Sequence, residues 1–271
     1  MIVDVDGKTA HAATGGVELN PEQPVVLMIH GAGMDSTVWQ QQTRFLAHRG
    51  LRAVAVDLPG HGGSDGEPLT TIVDMADWVA RFLEAAELSP ANVAGHSMGS
   101  FIALELARRH PETVASLTLM GAANAMPVHP ELLSSSADQL DRAAALMAAW
   151  GHGKGAHIGL NPTPGLWMLG GARALVENSA PGALTADFTA CKNYGDAEAA
   201  AAAITCPVRF IVGGEDKMTP PKAAAALAGA MTPELVTTTM LPGIGHSMMM
   251  EDPRSVRTIM LEAATAGTNG G

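Results

Sequence analysis

Residues 95–99 read Gly95-His96-Ser97-Met98-Gly99, a G-x-S-x-G pattern. The run before it, Ala91-Asn92-Val93-Ala94, has the short, mainly apolar character of a buried strand. Residues 98–109 after it carry a helical pattern. A strand that turns directly into a helix leaves little room for a Cβ on either side of the turn, so Gly95 and Gly99 fit it. Such a turn lifts the Ser97 hydroxyl above the sheet. It also sets the unpaired N–H groups of the helix start beside that hydroxyl. The pattern alone is a modest signal, and the strand before and helix after make it specific.

Similar apolar runs recur outward from this stretch. Residues 24–29 end at His30-Gly31, 51–56 at Asp57-Leu58-Pro59-Gly60, 115–120 at Gly121, 208–212 at Gly213-Gly214, and 236–241 at Pro242-Gly243. Continuous apolar strands with glycine at their carboxyl ends predict a parallel sheet buried on both faces. Helical patterns lie between them, at 38–48, 71–87, 98–109, 221–230 and 253–264. In the second, Thr71 with Asp74 makes an N-terminal cap, and Ile72, Met75, Ala76, Val79, Phe82, Leu83 and Ala86 share one face. Strand–helix alternation predicts an α/β fold with right-handed crossovers. Residues 2–6 and 17–20 are expected to form an antiparallel edge hairpin.

Residues 122–200 break the rhythm. They hold one helical pattern at 130–150, a Gly- and Pro-rich passage at 151–171 and short helical pieces, with no strong strand. The expected organisation is a core of residues 1–121 and 201–271 with a mostly helical cap, 122–200, over the sheet's carboxyl edge.

Composition narrows the function classes. The formal charge is −11 and no Lys/Arg cluster offsets it, which disfavours nucleic acid as a partner. No apolar run approaches the ~18–20 residues of a membrane span. Met1-Ile2-Val3-Asp4-Val5-Asp6 lacks the basic start and long apolar stretch of a signal peptide, so a cytoplasmic location is expected. Cys191 and Cys206 are too few for a disulfide framework, and both are expected reduced and structural, with Cys206 buried. The 16 methionines are expected mainly to fill the core. His152 and His157 share a glycine-rich loop whose spacing is no metal signature, and neither a metal nor an organic cofactor is expected.

A serine hydroxyl needs a base within hydrogen-bond reach, and the base needs an orienting acid. His246, in Gly245-His246-Ser247, follows the last apolar run and so falls at the sheet edge where Ser97 sits. Asp216 follows the preceding run, with Glu215 beside it as an alternative on spacing alone. In His30-Gly31-Ala32-Gly33, small residues let the backbone approach a ligand. The Ala32 N–H can there join the Met98 N–H in holding an oxyanion.

Four stretches together resemble the α/β-hydrolase fold family, in its capped esterase, lactonase and haloperoxidase-like group. They are His30 to Gly33, DLPGHGGSD at Asp57 to Asp65, GHSMG at Gly95 to Gly99, and the loops of Asp216 and His246. The resemblance implies a catalytic triad of Ser97, Asp216 and His246, in the chain order expected for that fold, with oxyanion donors at Ala32 and Met98. It makes Asp57 and His61 structural. Haloalkane dehalogenases and epoxide hydrolases of this fold carry Asp at the nucleophile position, so Ser97 disfavours those activities. Some members take the acid after the preceding strand, but Gly121-Ala122-Ala123-Asn124 has none, which favours Asp216.

The expected reaction is hydrolysis of a small-to-medium carboxylic ester, or a lactone, by a carboxylesterase-like serine hydrolase. His30, Gly31, Met147, Trp150, Trp167 and Met168 are candidate pocket residues, although Met147, Trp150, Trp167 and Met168 fit a cap core equally well. Two other enzyme readings use the same triad, carbon–carbon bond hydrolysis and acyl transfer. A ligand-binding module with residual hydrolysis is the alternative from another class. The oligomeric state is not legible.

Overall fold

The computed structural model describes residues 1–160, 162 and 166–266. In chain order the elements are β1 (Ile2–Val5), β2 (Lys8–Ala13), β3 (Val25–Ile29), α1 (Gln40–Ala47), β4 (Arg52–Val56), α2 (Ile72–Ala85), β5 (Ala91–His96), α3 (Met98–Arg109) and β6 (Val114–Met120). Among the described residues six helices follow without a strand: α4 (Pro130–Asp138), α5 (Leu140–Trp150), α6 (Lys154–His157), α7 (Met168–Glu177), α8 (Ala183–Asn193) and α9 (Ala197–Ala202). The chain then returns through β7 (Val208–Gly213), α10 (Pro221–Gly229), β8 (Val236–Leu241), α11 (Met248–Glu251) and α12 (Pro253–Thr265).

Eight strands form one sheet in the order β1-β2-β4-β3-β5-β6-β7-β8. Six of them, β4 through β8 across β3, run parallel, and β1 and β2 pair antiparallel at one edge. The architecture is therefore the expected α/β-hydrolase fold. All five side chains of β3 are buried. Val25, Leu27 and Ile29 join the core on one face of the sheet, while Val26 and Met28 join the core on the other. That explains why the strand reads as an unbroken apolar run. Edge strand β8 departs from the pattern, since Thr237 and Thr238 are exposed.

The caps and periodicity work as read in α2. The Thr71 hydroxyl oxygen accepts the Asp74 N–H at 3.0 Å. Its apolar face buries Phe82 and Leu83 completely, each contributing about 1.5–3 kcal/mol.

Three expectations need correction. The partner of β1 is β2, not residues 17–20. Asp6 and Gly7 both have positive φ, 56° and 76°, which is the backbone of a tight two-residue hairpin. Asp-Gly at 6–7 was the overlooked turn signal. The helical pattern at 130–150 is two helices, because Gln139 leaves helical dihedrals at φ −139°, ψ 61°. It ends α4 and opens α5, so α4 packs on α8 while α5 packs chiefly on α7. Apolar periodicity continues across such a break and conceals it. Cys206 is only half-buried, although Cys191 is buried. The passage 151–171 lies partly outside the described residues.

Candidate active site

Strand β3 crosses to β4 on one side, and the chain then returns to β5 on the other, so β3 and β5 flank the point where strand order reverses. Crevices at the carboxyl ends of strands form at such a point. His30 to Gly33 leave β3 there, and Ser97 leaves β5. Ser97 has φ 53° and ψ −117°, in the region that disfavours a side chain. Its N–H donates to the Met120 carbonyl at 2.8 Å, and the Ser100 N–H donates back to the Ser97 carbonyl at 2.8 Å. A Cβ on Gly95 would lie 2.1 Å from the Gly99 carbonyl oxygen, and one on Gly99 would lie 2.4 Å from that of Ile29. The turn therefore closes only with glycine on both sides.

His246 and Asp216 meet from separate loops. His246 Nδ1 lies 2.8 Å from Asp216 Oδ2, and both residues are buried. Asp216 Oδ1 accepts the N–H groups of Met218 and Thr219 at 2.9 and 2.8 Å. Its Oδ2 also accepts the Thr219 hydroxyl at 2.7 Å. Burial pushes the Asp216 carboxyl up, but the His246 charge and hydrogen bond, with the Thr219 donors, hold it below the ordinary value. Asp216 is thus a carboxylate that takes the Nδ1 proton of His246 in a hydrogen bond, so in the neutral ring the lone pair falls on Nε2. That nitrogen is buried and has no hydrogen-bond partner among the described residues. Glu215, the neighbouring alternative, turns away and accepts the Lys154 N–H at 2.7 Å.

His246 is framed by two residues that spacing did not single out. A Cβ on Gly121 would come within 2.6 Å of the His246 ring. His96, inside the G-x-S-x-G stretch, donates from Nε2 to the His246 carbonyl at 2.9 Å. Burial lowers the His96 pKa to about 3, so it stays neutral. Its position beside the serine was the signal that it faces the same loops.

Met98 opens α3, where an N–H has no partner within the helix. Among the described residues, no hydrogen bond uses the Ala32 N–H. The loop carrying Ala32 is tied across the site by Asp187 of α8, which accepts the Gly33 N–H at 2.8 Å and lies 3.0 Å from His61 Nε2. His61 Nδ1 donates to the Pro59 carbonyl, so Nε2 must be protonated as well to donate to the carboxylate. Burial opposes that charge, yet the Asp187 hydrogen bond and charge raise the His61 pKa. His30 is buried against His61, accepts the Leu58 N–H at 3.2 Å and lines neither cavity at Ser97. Burial lowers its pKa to about 4. Asp57 is likewise occupied, accepting the N–H groups of Ser36 and Gly63.

Two cavities meet at Ser97 and His246. The larger, about 680 Å³, is walled by Met126, Val128, Leu132, Trp150 and Phe188, with Lys217 among its polar residues. The smaller, about 30 Å³, touches Gly31, Met147 and His152. Trp167 and Met168, expected in the pocket, line a separate groove with Thr37, Val38 and Gln41. They sit at the start of α7, and the turns that reach Ser97 carry Ala172 and Val176 instead. Trp167 is 77% exposed. Among the described residues, no group of three His, Cys, Asp or Glu is placed to hold a metal, and no helix is long and apolar enough to cross a membrane.

The comparison with known families accords with this geometry. The profile of the Alpha/beta hydrolase family matches residues 26–258.

The chain belongs to the alpha/beta hydrolase family.

That is a family of hydrolase enzymes. Over 108 residues the chain is 39% identical to a pimeloyl-[acyl-carrier protein] methyl ester esterase of Methylococcus capsulatus, covering 38% of this chain and 39% of that protein. Over 122 residues it is 40% identical to the dihydrolipoyllysine-residue acetyltransferase component of the acetoin cleaving system of Cupriavidus necator, covering 44% and 31%. The match thus spans well under two thirds of either relative. Among solved structures, the enol-lactonase of Burkholderia xenovorans superposes with a TM-score of 0.86 at 20% identity, covering 98% of this chain and 100% of that one. At that identity the likeness concerns the fold.

Proposed function

We propose that this α/β hydrolase cleaves a small-to-medium carboxylic ester, a lactone included, through an acyl-enzyme on Ser97. One arrangement carries the reading. Ser97, held at positive φ on the strand–helix turn, shares a cavity with His246, whose Nδ1 lies 2.8 Å from Asp216. Ser97 attacks the carbonyl carbon while His246 Nε2 takes its proton. The Ala32 and Met98 N–H groups hold the developing oxyanion. His246 then protonates the leaving alcohol and activates water for the second step. Asp216 fixes the His246 tautomer and stabilises the imidazolium.

Residues 122–200 act as the cap in this reading. Met126, Val128, Leu132, Trp150 and Phe188 wall the larger cavity and favour an apolar acyl or alcohol group. A partial relative named for a methyl ester supports the same bond class. The test is hydrolysis of a chain-length series of p-nitrophenyl esters, and of lactones, by wild type and Ser97→Ala. Turnover by wild type alone is expected, with the preferred length sizing the cavity. Equal rates in both proteins would remove Ser97 from the nucleophile role.

A further inference from the structure

His152 follows α5, is 1% exposed, and lines the small cavity together with Ser97 and His246. Its Nδ1 lies 2.9 Å from the Ala148 carbonyl oxygen. A carbonyl only accepts, so Nδ1 carries the proton. Burial holds the His152 pKa below the ordinary imidazole value, against the Ala148 hydrogen bond. The ring is neutral, and Nε2 offers a lone pair. Among the described residues that buried nitrogen has no hydrogen-bond partner, nor has His246 Nε2. One cavity therefore brings together two imidazoles, each with a buried lone pair to satisfy.

The placement of His152 is built in. Glu251 accepts the N–H of Gly153 at 2.8 Å with one oxygen and that of Gly245 at 3.0 Å with the other. The Ser247 N–H donates to the Gly151 carbonyl at 2.9 Å. The loops on both sides of His152 and His246 are thereby fastened to each other. Gly153 and Gly245 permit the approach, since a Cβ on either would lie within about 2.5 Å of the opposite loop. The cavity, about 30 Å³, is large enough to hold a water.

We propose that this cavity seats the water that cleaves the acyl-enzyme, and that His152 positions it. The proposal rests on the acyl-serine reading above. One O–H of the water donates to His246 Nε2, which removes that proton. The other donates to His152 Nε2 and stays on the oxygen. The oxygen attacks the acyl carbonyl carbon, the bond from that carbon to Ser97 Oγ breaks, and the proton on His246 passes to Oγ. Acyl-serine and water thus give the carboxylic acid and free serine. Two fixed acceptors orient a water better than one, and orientation lowers the barrier of this step alone.

The test separates the two half-reactions of p-nitrophenyl acetate on the whole protein. Acylation is read from the p-nitrophenolate burst. Deacylation is read from the decay of the acetyl mass on intact protein after substrate is removed. In His152→Leu, deacylation is expected to slow roughly tenfold, the scale of one lost hydrogen bond, with acylation within about twofold. His152→Gln returns an acceptor oxygen near the Nε2 position and should recover most of the rate. The rate at which a p-nitrophenyl phosphonate labels Ser97 reports whether each variant keeps its site. Unchanged deacylation in His152→Leu would overturn the proposal. So would a parallel fall in labelling, acylation and deacylation, or a Gln variant no faster than Leu. Acylation that survives in Ser97→Ala would instead remove the reading beneath it.

Discussion

His246 Nδ1 and Asp216 Oδ2 stand 2.8 Å apart across two loops, and the Thr219 hydroxyl closes the third side by donating to the same Oδ2 at 2.7 Å. In the proposed mechanism the carboxylate holds the proton on Nδ1 and leaves Nε2 to act as base. Asp216→Asn keeps the shape but allows the opposite tautomer. It is expected to lower kcat on the order of 10⁴-fold with little change in Tm. Steady-state kinetics on p-nitrophenyl butyrate check this, and near-normal turnover would move the orienting role to another acid.

The turn that exposes Ser97 is strained, since φ 53° with ψ −117° suits glycine alone. Ser97→Gly is therefore expected to abolish turnover and yet raise stability by about 1 kcal/mol. Urea denaturation of the two proteins checks the sign. A loss of stability would mean that the serine side chain contributes more than its backbone strain costs.

Gly121 is the floor beneath the His246 ring. Its φ is +57°, and an added Cβ would come within 2.6 Å of the ring. Gly121→Ala should displace the imidazole and lower kcat about 100-fold, which a misplacement near 1 Å produces. The labelling rate of Ser97 by a phosphonate should fall in parallel. Wild-type labelling in this variant would show that the ring has room to move.

Asp187 and His61 link α8 to the loop that carries Ala32. Removing one partner of a buried pair leaves the other charge unpaired, so Asp187→Asn should cost about 3 kcal/mol. The pair also carries a pH signature. The folded His61 pKa lies above its ordinary value of 6.5. Its contribution to stability is then full below pH 6.5 and is lost as pH rises through the raised folded value. Tm measured from pH 5.5 to 8.5 should fall on the alkaline side in wild type and fall less in His61→Gln. Identical slopes in both proteins would contradict the assignment.

Legibility from sequence followed the range of the interaction. Strand β3 stood out because burial on both faces writes a continuous apolar run into the chain. The α2 cap stood out because Thr71 and Asp74 are three residues apart. The break at Gln139 did not, because one non-helical residue leaves the apolar spacing on either side intact. Trp167, as a large apolar residue, fits a pocket wall or a cap core equally well on sequence, but it lies 77% exposed in a separate groove, and Ala172 and Val176 make the buried face of α7. His96 and Gly121 escaped notice because their contacts with His246 span 150 and 125 positions of chain.

The strand–turn–helix around Ser97 was legible in local sequence, since the Gly95 contact with Gly99 arises within one turn, while the Gly99 contact with Ile29 belongs to the packing of α3 on β3. Local sequence also settled the alternation of strands and helices, because hydrophobic period follows from secondary structure. What required the tertiary structure was everything that depends on loops meeting. The choice of Asp216 over Glu215 as the partner of His246 is set by how the loops after β7 and β8 meet, and the tie from Asp187 to Gly33 and the small cavity shared by His152 and His246 by how the helices between β6 and β7 pack over the sheet. Side-chain packing between distant segments is specified by shape and burial, and neither leaves a periodic mark in the chain.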